Sequence, residues 1–339
     1  MAQPLLDIKD LTTVFPVEGA EPGQSTQVAA VDGLDLQVQP GQVLGLVGES
    51  GCGKSLSALS VLGLVPQPGR VAGGSILFDG EELLDAAAHR MRQIRGAEIS
   101  MVFQEPMTSL NPVFTVGRQV AELIKAHEDT STSEAWSRAE EMLAKVGIPE
   151  PARRARSYPH QLSGGLRQRV MIAMALALSP RLVMADEPTT ALDVTIQAQI
   201  LGLMRSLQEE SGAAFLLISH NLAVVAQMAA RVAVMYTGRL VEEAGVEELF
   251  AKPLHPYTRG LLACLPARAS QRGQKLPTIP GVVPAPDNLP LGCAFSDRCP
   301  ERFAPCQEAE PALVEVAPGH RVRCFLHHDK ARQRERRAA

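Results

Sequence analysis

Apolar and polar residues alternate over residues 5–15 and again over 28–38, with frequent β-branched side chains, which predicts two strands. Residues 18–27 between them are rich in Gly, Pro, Ser and Glu and read as a surface loop. Residues 42–47 form a short apolar run that enters a glycine-rich stretch, and helical periodicity follows over 55–64. A strand is predicted at 75–78, ending in the turn Asp79-Gly80. Amphipathic helices are predicted over 133–146 and 167–178, and together they suggest a helical insertion between two halves of a core. From residue 182 the pattern switches repeatedly between the two periods. Strands are predicted at 182–185, 214–218, 232–236 and 239–242, and helices at 196–207 and 222–228. That alternation predicts an α/β fold with a mostly parallel sheet and helices on both faces.

The texture changes after Phe250: proline becomes frequent from Pro253 to Pro290, and four of the six cysteines fall between Cys293 and Cys324. This places a domain boundary near Lys252, dividing the 339 residues into 1–252 and 253–339. A hydrophobic content of 45% supplies a substantial core and excludes a disordered chain. The net charge of -4 gives no general footprint for nucleic acid, which is not expected as a partner. The short basic stretch at 330–337 reads as a solvated terminus. No run approaches the roughly 18 apolar residues of a membrane span. The first residues lack the charged-then-apolar pattern of a secretory signal, so the chain is expected in the cytoplasm, with any membrane role reached through a partner.

Two motifs carry phosphate chemistry. In Gly48-Glu49-Ser50-Gly51-Cys52-Gly53-Lys54-Ser55 the glycines let backbone N–H groups turn inward around an anion, and the helix beginning near Lys54 adds its positive end. Lys54 is expected to reach the β- and γ-phosphates, and the Ser55 hydroxyl to bind Mg²⁺. Cys52 reads as a small filler that contributes its backbone. Asp186 and Glu187 end an apolar strand, where α/β sheets place ligands, and adjacent side chains there point apart toward two different tasks.

Cys293, Cys299, Cys306 and Cys324 follow a C-x5-C-x6-C-x17-C spacing. In a reducing compartment such a cluster reads as a metal or redox site. Structural zinc favours closer pairs, whereas an iron–sulfur cube tolerates wider spacing. A [4Fe-4S] cluster is therefore the first reading, with zinc and free structural thiols as alternatives. Cys264 reads as buried packing on a helix.

Between the two phosphate motifs lie Gln104 and Leu162-Ser163-Gly164-Gly165. The four features in this order resemble the ATP-binding-cassette (ABC) ATPases over residues 1–252. The resemblance implies a P-loop core with an antiparallel β subdomain and a helical subdomain, binding ATP and Mg²⁺. It also implies that Asp186 holds Mg²⁺ through water and that Glu187 is the general base. On the same ground Gln104 contacts Mg²⁺ and the attacking water, His220 touches the γ-phosphate, and Phe15 stacks on adenine. Asp193 belongs to the segment after Glu187 that matches the family, while Asn221 stands where the family often has Asp. Ser163, Gly164 and Gly165 cap the ATP of a second subunit, so the functional unit is a head-to-tail dimer with two ATPs.

A narrower resemblance covers nearly the whole chain. Residues 103–112 (Phe-Gln-Glu-Pro-Met-Thr-Ser-Leu-Asn-Pro), 162–169, His255-Pro256-Tyr257-Thr258 and the cysteine block are similar to the oligopeptide and dipeptide importer ATPases. Leu166 stands where Met is more usual. This implies the motor of a peptide importer, peripheral on the cytoplasmic face of the inner membrane. It would serve two transmembrane permease subunits and an extracytoplasmic substrate-binding protein. Residues 170–175 resemble the first of that family's two ATPase types, which implies a heterodimer with a second, related ABC ATPase chain. A nickel or other small-solute importer stays open, because the ATPase does not touch cargo. A soluble ABC ATPase acting on nucleic acid or ribosomes is the third reading. It would call for tandem cassettes or a long coiled-coil insertion, which this sequence lacks.

Overall fold

The computed structural model describes residues 3–18, 25–190, 192–265 and 277–329; the basic stretch at 330–337 lies outside them. The elements begin β1 (Leu6–Glu18), β2 (Ser25–Val38), β3 (Val43–Val47), α1 (Lys54–Val61), β4 (Arg70–Phe78), β5 (Glu81–Glu82), α2 (Ala88–Ala97) and β6 (Ile99–Val102). Next come α3 (Pro106–Ser109), α4 (Val116–His127), α5 (Thr132–Lys145), α6 (Pro151–Arg154), α7 (Gly164–Leu176), β7 (Leu182–Asp186), α8 (Val194–Ser211) and β8 (Ala214–Ser219). The chain ends with α9 (Leu222–Val225), β9 (Arg231–Tyr236), β10 (Arg239–Gly245), α10 (Val246–Ala251), α11 (Pro256–Ala263), α12 (Pro305–Glu308), β11 (Val314–Ala317) and β12 (His320–Val322). The first two strands are longer than predicted, so the intervening loop is shorter than residues 18–27. Helix α9 is shorter than predicted; beyond it the chain runs to Met228 in i to i+3 turns.

Two compact units partition the chain. The first is Met1–Leu5, Val38–Val43 and Asp85–Ile218. Its strands β6, β7 and β8 pair in parallel, with Ile99 opposite Leu182 and Leu182 opposite Ala214. Every residue of β7 and β8 is buried, which is why both read as unbroken apolar runs. Helix α5 buries Ala135, Ala139 and Leu143 at i+4 steps, and the Ser131 hydroxyl caps it by accepting the Glu134 N–H at 3.1 Å. Helix α4, which is not among the predicted elements, buries Val116, Val120 and Ile124 in the same way, and α7 packs on both helices and on β6.

The second unit comprises Leu6–Gln37, Leu44–Leu84 and the chain from Ser219 onward. One sheet of this unit has the order β2-β1-β4-β5, with β1 and β4 antiparallel. Elsewhere β3 pairs in parallel with β9, while β9, β10, β12 and β11 continue as antiparallel neighbours. The proline-rich C-terminal segment thus adds two short strands beside β10. A buried polar hub fixes it there. The Glu242 carboxylate accepts the N–H groups of Leu254 (2.7 Å) and His255 (2.9 Å) and meets His320 Nε2 at 2.8 Å.

Candidate active site

In the second unit β3, buried at all five positions, delivers the chain to Gly48, and α1 starts at Lys54. Two glycines are required sterically. A Cβ on Gly48 would stand 2.2 Å from the Met235 carbonyl oxygen, and one on Gly53, whose φ is +97°, would stand 2.5 Å from that of Ala30. The buried Lys54 curls back over the loop, its Nζ donating to the carbonyls of Gly48 (2.8 Å) and Glu49 (2.9 Å). A cation thus sits inside a turn of backbone N–H groups at a helix N-terminus, which is a built anion cradle. Ser50 and Gly51 are exposed, and Ser55 lies half-buried in the first turn of α1. Burial raises the thiol pKa of Cys52, against the opposing pull of Lys54.

Two further residues expected at the site, Phe15 and His220, belong to the same unit, as does Asn221. Phe15 is half-buried, with its ring against Gly69. His220 is exposed just past β8. Asn221 caps α9 by accepting the Ala223 N–H at 2.9 Å, a task Asp would perform equally.

In the first unit Asp186 is the buried last residue of β7. Glu187 follows in the left-handed region at φ +44°, an uncommon backbone for a non-glycine residue, and its N–H donates to the Ile218 carbonyl at 2.9 Å. Its Oε2 accepts hydrogen bonds from Gln104 Nε2 at 3.2 Å and Thr190 Oγ1 at 2.7 Å. The structure thus brings Gln104 and Glu187 together across 83 residues. Thr190 is a partner that no motif in the sequence singled out.

Ser163 occupies the N-cap of α7 without a side-chain bond to that helix. A Cβ on Gly165 would meet Ile196 Cγ2 at 2.8 Å, so glycine permits the approach of α8. Asp193 caps α8 by accepting the Ile196 N–H at 2.9 Å. Together with Ser163, Gly164 and Gly165, Asp193 lines a cleft of about 540 Å³. An open helix N-terminus carrying a hydroxyl and two glycines suits a phosphate.

The cysteine-bearing segment belongs to the second unit. Cys293, Cys299, Cys306 and Cys324 line one small cavity together with His255 and Phe295. Burial pushes the thiols of Cys293 and Cys299 up, and that of Cys324 to about 12. Four soft sulfur donors around one cavity fit thiophilic metal chemistry. Among the described residues, however, no group of three or more His, Cys, Asp or Glu is set to hold a metal ion. Cys264 is the half-buried C-cap of α11, more open than the packing position predicted for it.

This segment, remote in sequence from the phosphate motifs, reaches one of them. Arg298, in the turn between Cys293 and Cys299, grips the Glu49 carboxylate with two nitrogens at 2.7 and 3.0 Å. The Tyr257 hydroxyl accepts the Glu49 N–H at 2.8 Å. Tyr257 belonged to a motif visible in the sequence; for Arg298 the only signal was its place between two cysteines.

Comparison with known proteins adds a family. Residues 31–190 match the ABC transporter family and residues 241–306 the C-terminal region of oligopeptide/dipeptide transporters. The chain is 51% identical to the Probable peptide ABC transporter ATP-binding protein y4tR of Sinorhizobium fredii, covering 95% of this chain and 94% of that protein. It is 47% identical both to the oligopeptide transport ATP-binding protein AppD of Bacillus subtilis and to the dipeptide transport ATP-binding protein DppD of Escherichia coli, with 96% and 98% covered in each case. Among solved structures it resembles the dimeric post-hydrolysis state of the ATP-binding cassette MJ0796 bound to ADP and Pi. There the TM-score is 0.62 at 29% identity, covering 71% of this chain and 98% of that one. The chain belongs to the ABC transporter ATP-binding proteins of the oligopeptide/dipeptide transporter family.

Proposed function

We propose that the chain is the ATP-hydrolysing motor of a peptide importer and that hydrolysis turns on Glu187. The observation that carries this is the carboxylate itself, held on an uncommon backbone conformation between Gln104 and Thr190. A general base must be oriented before it is useful, and two donors on one oxygen fix its direction. Glu187 takes the proton of the water whose oxygen attacks the γ-phosphorus, while the bond to the ADP oxygen breaks. Lys54 and the N–H groups of residues 48–55 hold the phosphates, His220 contacts the γ-phosphate and Phe15 supports adenine. Ser55, Gln104 and Asp186 would hold Mg²⁺, a hard cation to which their oxygen donors are suited. When bound it would offset charge on the β- and γ-phosphate oxygens. Replacing Glu187 with Gln is expected to leave ATP binding intact and slow hydrolysis by about 10²–10⁴-fold. A variant keeping more than about a tenth of the wild-type rate would contradict the assignment.

The relatives' names support a transport role for the partners, and the open α7 terminus supports a second ATPase chain. Ser163, Gly164 and Gly165 would cap ATP bound by a second, related ATPase chain in a heterodimer in which this chain is the first type. The dimer would serve two transmembrane permease subunits and an extracytoplasmic substrate-binding protein from the cytoplasmic face of the membrane. Among the described residues no helix is long and apolar enough to cross a membrane, so anchoring would come from the permease. We keep the division at residue 252 between the ATPase domain and its extension. In that extension Cys293, Cys299, Cys306 and Cys324 would hold a [4Fe-4S] cluster, with zinc as the alternative; their sharing of one cavity supports a common ligand.

A further inference from the structure

Glu49 is an anionic side chain within a loop whose task is to hold a polyanion. Left unpaired, its charge would oppose nucleotide binding. The structure answers that charge from the extension. Arg298 is buried, with 5% of its side chain exposed, and its Nη1 and Nη2 meet the two Glu49 oxygens in the paired geometry that guanidinium and carboxylate favour. Its Nε donates to the Pro280 carbonyl at 2.8 Å, so the guanidinium cannot swing away without losing a second contact. Its Cζ stands over the rings of Tyr236 and Phe295, 5.8 and 5.9 Å from their centres. Tyr236, Tyr257 and Phe295 pack on one another with centroids 4.7 to 5.4 Å apart, which sets the height of the Tyr257 hydroxyl at the Glu49 amide. Glu49 is thereby held at both its backbone and its side chain by residues more than 200 positions away.

We propose that Arg298 and Tyr257 are positioning residues for nucleotide binding. Arg298 neutralises and orients Glu49, Tyr257 fixes the Glu49 amide, and the extension thereby sets the affinity of the phosphate loop. The turn that carries Arg298 is bracketed by Cys293 and Cys299, so whatever orders those cysteines also orders the guanidinium. The inference rests on the nucleotide reading of the phosphate loop and adds a second part of the chain to it.

The test is a double-mutant cycle on the full-length chain, R298Q, E49Q and the pair together, with Mg-ATP and Mg-ADP affinity measured by calorimetry. R298Q leaves an unpaired carboxylate beside the phosphates and is expected to weaken both nucleotides about tenfold. E49Q removes the charge while keeping the loop's backbone N–H, and supplies the reference against which the R298Q effect is read in the cycle. Adding E49Q to R298Q should restore most of the lost affinity, an outcome that a merely structural arginine would not produce. Wild-type affinity in R298Q, or a double variant as weak as R298Q, overturns the proposal. If R298Q does not fold, Y257F carries the test, because it keeps the ring in its cluster and removes the hydroxyl that accepts the Glu49 N–H. A several-fold rise in Kd supports the proposal, and a Kd within about twofold of wild type overturns it. A wild-type chain that bound no nucleotide would instead overturn the reading of the loop itself.

Discussion

His255 should make the attachment of the extension sensitive to mild acid. The ring is buried, and its Nδ1 accepts the Tyr257 N–H at 3.1 Å, capping α11. Burial lowers its pKa from 6.5 to about 4; the Glu242 carboxylate pulls it up, while Arg259 and His327 push it further down. The unfolded ring takes its proton near 6.5 and the folded ring does not, so stability falls as pH drops from that value toward 4. At about 1.4 kcal/mol per pH unit the loss is about 2 kcal/mol at pH 5 and about 3 kcal/mol once both states are protonated. Glu242 does not confuse this window. Burial raises its pKa, but hydrogen bonds from His320 and from backbone N–H groups outweigh that and leave it below the usual 4.5. Its stabilisation is therefore lost only below that pH. Because one unfolding free energy poorly describes a chain of two units, the assay should be local. Hydrogen exchange of the α11 amides, compared at pH 7 and pH 5 in wild type and in His255→Asn, meets the need. Asn retains a capping oxygen but does not titrate. Wild-type protection, corrected for intrinsic rate, should fall about 30-fold at pH 5, and that of the variant should not. Equal falls in the two proteins would refute the assignment, whatever their offset at pH 7.

Lys54→Ala should remove the cation inside the phosphate loop and raise the Kd for ATP at least about tenfold; unchanged affinity by calorimetry would count against the anion cradle. Protein purified without oxygen should carry about four irons and acid-labile sulfide per chain, and Cys306→Ser should lose most of both. Stoichiometric zinc without iron in that preparation would reject the cluster and leave the zinc reading.

The parts of the fold legible in the sequence were those whose burial is uniform or strictly periodic. Strands β7 and β8 are buried throughout, and α5 buries every fourth residue, so hydropathy alone announces them. Strand β6 was missed because its four residues are too few for any period to emerge. Helix α4 carries the same i+4 apolar spacing as α5, at Val116, Val120 and Ile124, so its pattern was present in the sequence and went unread. The phosphate loop and the Asp186-Glu187 pair were legible because each acts through neighbours in sequence. The Gln104–Glu187 contact needed a resemblance to bring it to notice, since nothing local marks a lone glutamine. Arg298 was legible by neither route: its partner lies 249 residues away, and an arginine between two cysteines has no pattern of its own.

The contacts that hold the extension are of a kind that specifies position more than it adds stability. Its proline-rich course offers few backbone donors, and among the described residues after Cys264 the helices and strands span only three or four residues each. In place of a large apolar core it presents the aromatic cluster around Tyr257, the Glu242 hub and the Arg298–Glu49 pair. An ion pair with one member buried loses much of its Coulomb gain to desolvation, yet removing Glu49 would leave the buried Arg298 charge uncompensated. Such a pair discriminates strongly against displaced arrangements while contributing little net energy to the correct one. Because one member of this pair belongs to the phosphate loop, the arrangement it selects is that of the nucleotide-binding backbone. An extension attached only for stability would be served as well by apolar contacts away from the loop. The placement of Arg298 and Tyr257 on Glu49 is better explained by a requirement on the loop's geometry.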